Sequence, residues 1–485
     1  MVGDDAGTAG NHALSAPYAT AQSNGAVEEM FDGIEYGKGA AIIAQAIMAF
    51  GVSEFDSAIA AYIKEHAFGN TIANDIWSAL AEAANDPEAL EKMASWTYNK
   101  GYPLLSVTFQ TSSKSLVLSQ KPFVSKRVAE AASPKAEKLK QLAWWIPCRY
   151  SLDGGSTTAM AKVRPEEAKG QQTAKIPSTL ASTSPCLLAN VGRRGYFRVN
   201  YDDEGWACWS ENPSAFAQLS TMDRAGMMAD VFHIARASYL PSGVEGGVGF
   251  PLVLARAVLP AEREYSIFSQ ALSGFGELEL VLRPNAVDGN NGVDAECRTA
   301  FDKLVLGAVQ PATQALGWDP APGNSALDNR LRRVLLATAA SAGDAAIVAE
   351  ATKRFKASLP GANPSQVPLD PETASVIMSI AVRHGGQDEW DGAVSIYNRN
   401  GATAAEKSRA LGALAQTKDL GRLRQLLDSA LPALSSTSIV TVRPQDVPRV
   451  IENVASTAEG FSVAWAFVKE RWDDVFATFG KGGLI

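Results

Sequence analysis

The stretch FDGIEYGKGA, residues 31–40, sets one phenol, Tyr36, between the carboxylate of Glu35 and the flexible, basic Gly37-Lys38-Gly39. A phenol, with a pKa of about 10, is a neutral hydrogen-bond donor at pH 7. Such a donor can stabilise the negative oxygen that forms when a carbonyl is attacked. Taken alone, the same tyrosine is equally well the polar rim of the helix that follows.

The other reactive side chains build no site by local spacing. The four histidines are His12, His66, His233 and His384. No two stand four residues apart and no H-E-x-x-H occurs, so a zinc-peptidase helix is not encoded. His66 in IKEHAFG reads as a residue at a helix C-terminus, His233 in DVFHIAR as a packed or half-buried helix residue, and His384 before Gly385-Gly386 as a helix-end cation. There is no G-x-S-x-G elbow and no phosphate-binding G-x-x-x-x-G-K loop. Cys148, Cys186, Cys208 and Cys297 lie far apart without a C-x-x-C pair, which argues against a zinc knuckle or a disulfide framework. The Asp223-Arg224 neighbours in MDRAGMMADVF read as a structural ion pair locking helices together rather than as reactive groups.

The elements that must carry these residues are mostly helical. Residues 1–27 are rich in Gly, Ala, Ser and Asn and read as a flexible segment. KGAAIIAQAIMAFG predicts a helix stopped by Gly51, SEFDSAIAAYIKEHAFGN a second opening near Ser53, and DPEALEKMASWTYNKG one capped by Asp86 with Pro87 at its first position. Lys38 and Gly39 read as fold determinants, the glycine allowing close backbone approach and the lysine pairing locally. After Gly101-Tyr102-Pro103 the texture changes. LLSVTFQTSSKSLVLSQKPF predicts a hairpin, and AWWIPCRYSL and PCLLANVGRRGYFRVNYD further strands. SPKAEKLKQ and DGGSTTAMAKVRPEEAKGQQTAK read as solvated loops. This gives a small antiparallel β domain over 104–205, expected to be a sandwich. From 206 to 485, apolar-periodic units of helical length separated by Gly, Asp and Pro suggest stacked helix pairs, an α-solenoid of the HEAT or armadillo kind.

The 485 residues carry 44 basic and 52 acidic side chains, a net charge of −8, with the basic residues scattered, so nucleic-acid binding has no support. No apolar run approaches the roughly 18 residues of a membrane span. The first 25 residues lack the charged and apolar regions of a secretory signal. No N-x-S/T acceptor without proline occurs. A cytoplasmic protein with no membrane or nucleic-acid partner is expected.

Several stretches together resemble one family. EEMFDGIEYGKGAAII (28–43), YIKEHAFGNTIANDIWSAL (62–80), MASWTYNKGYPLLSV (93–107) and GYFRVNYDDEGW (195–206) are similar to consecutive segments of the aminopeptidase N and puromycin-sensitive aminopeptidase family of zinc metallopeptidases. MDRAGMMADVFHIARA (222–237), LGWD (316–319), EKSRALGAL (406–414) and AWAFVKERWD (464–473) follow in the family's order. The resemblance covers about residues 28–475 and implies a mainly α chain: the C-terminal piece of a thermolysin-like catalytic domain over 28–103, a β-sandwich over 104–205, and a helical-repeat domain over 206–485. By motif position, Tyr36 matches the family tyrosine that donates to the oxyanion of the tetrahedral intermediate while zinc polarises the carbonyl. The family's zinc ligands and its G-x-M-E-N motif lie before FDGIEYGKGA, and neither occurs in this sequence. The N-terminal β domain and most of the catalytic domain are therefore expected to be absent, and the C-terminus to stop short. The implied parent activity is removal of N-terminal amino acids from peptides. The chain alone is expected to bind no zinc and to be inactive unless completed by the missing N-terminal part. Two other readings stand beside it: a non-catalytic helical-repeat protein binding peptides or proteins, and a separately encoded half that complements an N-terminal fragment.

Overall fold

The structure is a computed structural model that describes residues 12–15, 31–124, 134–165, 172–178, 184–237, 249–282, 295–359, 367–431 and 438–479. Apart from residues 12–15, the segment 1–27 read as flexible lies outside the described residues. The chain divides into two compact units, Met1–Val258 and Leu259–Ile485.

The first unit opens with helices α1 (Gly39–Phe50), α2 (Val52–Glu65), α3 (Ala73–Ala83) and α4 (Ala89–Thr97). Gly51 ends α1 at φ 111°, a conformation that glycine adopts without strain. The fourth helix begins later than its proline suggests. Asp86 instead caps the turn before it, its side chain accepting the Glu88 N–H at 3.1 Å and its carbonyl the Ala89 N–H at 3.0 Å. Two indole donors tie these helices into the core: Trp77 Nε1 donates to Thr97 Oγ1 at 2.9 Å and Trp96 Nε1 to the Trp145 carbonyl at 2.7 Å.

The expected hairpin forms strands β1 (Pro103–Gln110) and β2 (Ser115–Pro122), paired antiparallel in the register Val107 to Leu118. Strands β3 (Ile146–Ser151), β4 (Ala159–Val163), β5 (Gln172–Lys175), β6 (Leu188–Ala189) and β7 (Arg198–Tyr201) complete two sheets, ordered β5-β2-β1-β7 and β4-β3-β6. Three expectations fail here. The domain is not wholly antiparallel, because β7 returns from the second sheet and runs parallel to β1, Leu105 facing Val199. The stretch containing DGGSTT is not all loop, since Ala161 and Val163 are buried and pair with Cys148 and Ile146. SPKAEKLKQ forms helix α5 (Pro134–Lys140), with a proline at its start, a Glu137–Lys140 contact at 2.8 Å, and Leu139 packed against Val124 and Leu142. Charged residues there cover one helical face instead of marking a loop.

Helices α6 (Asp203–Glu211), α7 (Pro213–Ala217), α8 (Thr221–Arg236) and α9 (Gly249–Val258) close the first unit. A disulfide joins Cys186, just before β6, to Cys208 in α6. This corrects the reading of the cysteines: they are distant by pattern, but β7 carries the chain back so that two of them meet. The isolated 22-residue spacing resembled no framework because one bond alone has no repeating signature.

Among the described residues of the second unit, the regular elements are all helices. Its long helices include α10 (Tyr265–Leu282), α11 (Ala295–Leu316), α12 (Ala326–Ser341), α13 (Ala345–Ser358), α14 (Ala374–His384), α15 (Gln387–Asn398), α16 (Ala404–Leu414), α17 (Leu420–Ala430), α18 (Val447–Ala455), α19 (Ala458–Glu470) and α20 (Trp472–Phe479). Neighbours pack in sequence, α13 on α14 and α15 on α16, and next-but-one helices also meet, α14 on α16 and α17 on α19. The starts are encoded by capping boxes, Ser325 with Asp328 and Thr403 with Glu406. The core runs from Phe355 through Trp390, Leu414 and Leu427 to Phe467. No single described helix is long and apolar enough to cross a membrane.

Candidate functional site

Tyr36 stands on a π-helical turn, Ile34–Lys38, that leads directly into α1. Such widened turns are rare and occur often at functional positions. Asp32 makes the turn possible. Its Oδ1 accepts the N–H groups of Ile34 at 2.7 Å and Glu35 at 3.1 Å, and its carbonyl accepts the Tyr36 N–H at 3.3 Å. An aspartate just ahead of a helical run is an N-cap signal, and sequence reasoning passed over it.

The turn sends alternate side chains in opposite senses. Ile34 and Lys38 are buried, whereas the Tyr36 ring is 68% exposed. The Lys38 ammonium, expected to pair locally, also has partners far along the chain. It donates to the carbonyls of Asn99 at 3.2 Å and Gly101 at 2.8 Å and lies 5.9 Å from the centre of the Tyr196 ring. A fully buried ammonium needs several acceptors, and the NKG turn after α4 supplies two carbonyls. At Gly39, among the described residues an added Cβ would meet Leu14 at 4.0 Å, an ordinary contact distance.

From Lys38 a continuous set of contacts reaches the strand exit. Gln45 in α1 accepts the Tyr196 N–H through Oε1 at 3.0 Å. Tyr196 packs edge-on against Tyr102, whose hydroxyl accepts from Arg198 Nε at 3.3 Å. Arg198 and Arg193 both pair with the buried Asp230 of α8, at 3.0 and 2.5 Å. Asp223 and Arg224 are structural, as expected, but in another way. Asp223 accepts from Gly192 N–H and Ser220 Oγ, both at 2.7 Å, and Arg224 donates to the Ala217 and Leu219 carbonyls.

On its outer side the turn meets the short segment 12–15. His12 Nε2 lies 3.2 Å from Asp32 Oδ2, and its Nδ1 lies 2.9 Å from the Ala13 carbonyl. The Ser15 N–H donates to the Thr97 carbonyl at 3.1 Å and fastens the segment to α4. Partial burial tends to raise the Asp32 carboxyl, but the Glu35 and Ile34 N–H groups and the His12 ring outweigh it and hold the pKa below the ordinary value. Burial pushes the neighbouring Glu35 carboxyl up.

The remaining histidines stand where chemistry is not built. His66 is the C-cap residue of α2 and packs on Tyr62, and half-buried His233 bonds the Ala229 carbonyl through Nδ1 at 2.7 Å. His384 does end a helix, but burial and the charges of Lys418 and Arg383 lower its pKa, so the helix-end cation reading is corrected to a mainly neutral ring at pH 7. Among the described residues no group of three or more His, Cys, Asp or Glu side chains could hold a metal ion.

Residues 186–485 match the ERAP1-like C-terminal domain, and residues 4–97 match the peptidase family M1 domain. The chain is 28% identical to aminopeptidase M1-B of Oryza sativa subsp. japonica over 469 residues, 95% of this chain and 48% of that protein. It is 26% identical to aminopeptidase N of Homo sapiens over 489 residues, 98% of this chain and 46% of that protein. A third relative is the thyrotropin-releasing hormone-degrading ectoenzyme of Homo sapiens, 27% identical over 98% of this chain and 42% of its own length. The chain thus spans about half the length of the curated relatives it matches.

Proposed function

The chain belongs to the aminopeptidase N family of M1 peptidases, and on that premise we propose that it supplies the oxyanion-stabilising phenol, a β spacer and a substrate-enclosing helical wall to a metallo-aminopeptidase. The parent activity is removal of N-terminal amino acids from peptides, and peptides are the partner class. The observation that carries the reading is the turn under Tyr36: an exposed phenol whose backbone is fixed by the Asp32 cap on one side and by buried Lys38 on the other. A donor held that way loses little freedom when it engages a ligand. As a peptide carbonyl becomes tetrahedral, the phenol O–H donates to the oxygen that takes the negative charge, a contribution of about 10²–10³ in rate for one such donor.

The remaining assignments are part of the same proposal. Residues 28–103 act as the end of the catalytic domain. Residues 104–205 act as a sandwich spacer, supported by the two sheets between Pro103 and Tyr201. Residues 206–485 act as a helical-repeat wall, supported by the pairwise and next-but-one packing of helices in the second unit. Catalytic metal, when present, is held by residues outside the described set, either in further sequence or in a separate zinc-bearing partner.

The 485-residue chain by itself is proposed to be inactive, and zinc-dependent hydrolysis of an aminoacyl-arylamide by the purified chain would overturn that. The test of Tyr36 is Tyr36→Phe in the chain supplemented with a zinc-bearing N-terminal half of an M1 relative. A fall of about 10²–10³ in kcat is expected. Full activity without the phenol would remove Tyr36 from the mechanism.

A further inference from the structure

We propose that His12 is a positioning residue for Tyr36, acting through Asp32. The proposal rests on the reading of Tyr36 as the phenol donor. It adds a second layer to the site: a residue that touches neither Tyr36 nor any substrate but sets how firmly the turn is held.

The argument starts from the partners of the imidazole. Nδ1 faces the Ala13 carbonyl at 2.9 Å and Nε2 faces Asp32 Oδ2 at 3.2 Å. Both partners are acceptors: a carbonyl has no proton to give, and the Asp32 carboxyl is held ionised by the N–H groups it caps. A neutral imidazole carries one N–H and can satisfy only one of the two. The imidazolium, with two, satisfies both. Protonated His12 therefore bridges the 12–15 segment to Asp32, and neutral His12 must release one of them.

Asp32 is the hinge of this arrangement. One of its oxygens holds the Ile34 and Glu35 N–H groups, its carbonyl holds the Tyr36 N–H, and its other oxygen is held by His12. The segment beyond His12 is anchored independently through Ser15 to α4, so the pull on Asp32 has a fixed origin. The carboxylates of Asp32 and Glu35 both feel the charge of the His12 ring. Loss of the His12 bond frees one carboxylate oxygen to rotate away from the cap, and the π turn carrying Tyr36 loosens.

The experiment reads the turn in the full 485-residue chain without any turnover, so its failure is separate from failure of the catalytic reading. The His12 ring is followed by 13C NMR of labelled histidines and assigned with His12→Gln. Tyr36 is followed by the 19F signal of fluorotyrosine-labelled protein and assigned with Tyr36→Phe. The Tyr36 signal of the unaltered chain is expected to inflect at the pH at which the His12 ring itself titrates. In His12→Gln, whose amide donates at every pH, the inflection disappears and the turn stays held. In His12→Ala, hydrogen exchange over residues 31–38 quickens about fivefold at low pH, the size of one lost hydrogen bond. A Tyr36 signal that ignores the His12 titration, an inflection that survives in His12→Gln, or unchanged exchange in His12→Ala would each overturn the proposal.

Discussion

The Asp230 carboxylate and the Arg198 guanidinium, 3.0 Å apart and both buried, join α8 to the last strand of the β region. Arg193 completes the cluster from the left-handed residue at φ 52° just ahead of that strand. Two cations share one carboxylate, so the cluster cannot tolerate losing it. Asp230→Asn should destabilise the first unit by about 3–5 kcal/mol, the usual result of stripping one partner from a buried pair. Urea unfolding followed by tryptophan fluorescence measures this, and a loss under about 1 kcal/mol would show that water reaches the arginines.

The Cys186–Cys208 bond gives a chemical count. Denatured, unreduced protein should show two reactive thiols, Cys148 and Cys297, and reduction should raise the count to four. Cys208→Ala should cost about 2–4 kcal/mol of stability. Two thiols in protein taken from its own cells fit an oxidising compartment. Four would restore the cytoplasmic expectation.

Tyr36 and Lys38 should separate function from fold. Lys38→Met leaves the Asn99 and Gly101 carbonyls without their buried donor and should cost about 1–3 kcal/mol. Tyr36→Phe removes an exposed hydroxyl and should change stability by no more than about 0.5 kcal/mol. Paired thermal melts test both. A large loss in Tyr36→Phe would make the tyrosine a structural residue.

Glu406 predicts an acid transition in the second unit. The Thr403 N–H and hydroxyl, and then Arg399, hold its carboxyl down at about 2 against an ordinary 4.5. A depressed folded pKa means its stabilisation is present above about pH 4.5 and is lost as pH falls towards 2. The melting temperature of Glu406→Gln should therefore lie below the parent's at pH 7 and meet it near pH 2. Curves that stay parallel across that range would remove Glu406 as the titrating group.

Local signals made most helices legible. Gly51 stopped α1, and the Ser325 and Thr403 caps mark helix starts because each signal acts within a few residues. What the sequence hid was the work of distant partners. Lys38 reads as a fold determinant pairing locally, while its partners Asn99 and Gly101 lie 61 and 63 residues on. Cys186 and Cys208 look unpaired until β7 folds back, and β7 looks antiparallel until its neighbour is known to be β1. SPKAEKLKQ looks like loop because its single buried leucine gives too little apolar periodicity to declare a helix. At the site, the Tyr36 motif was readable, while His12 could be tied to Asp32 only once segment 12–15 was placed against α4.

The hydrogen bond from the Tyr196 N–H to Gln45 spans 151 residues, and it bears on how the protein emerges from the ribosome. At about 5–20 residues per second, roughly 8–30 s pass between synthesis of α1 and arrival of its partner. During that interval the turn carrying Tyr36 has neither the Tyr196 contact nor, for its earlier part, the carbonyls that receive Lys38. The Tyr36 phenol is translated well before the partners that fix its turn, so a nascent chain stalled before residue 196 would carry the motif without the geometry.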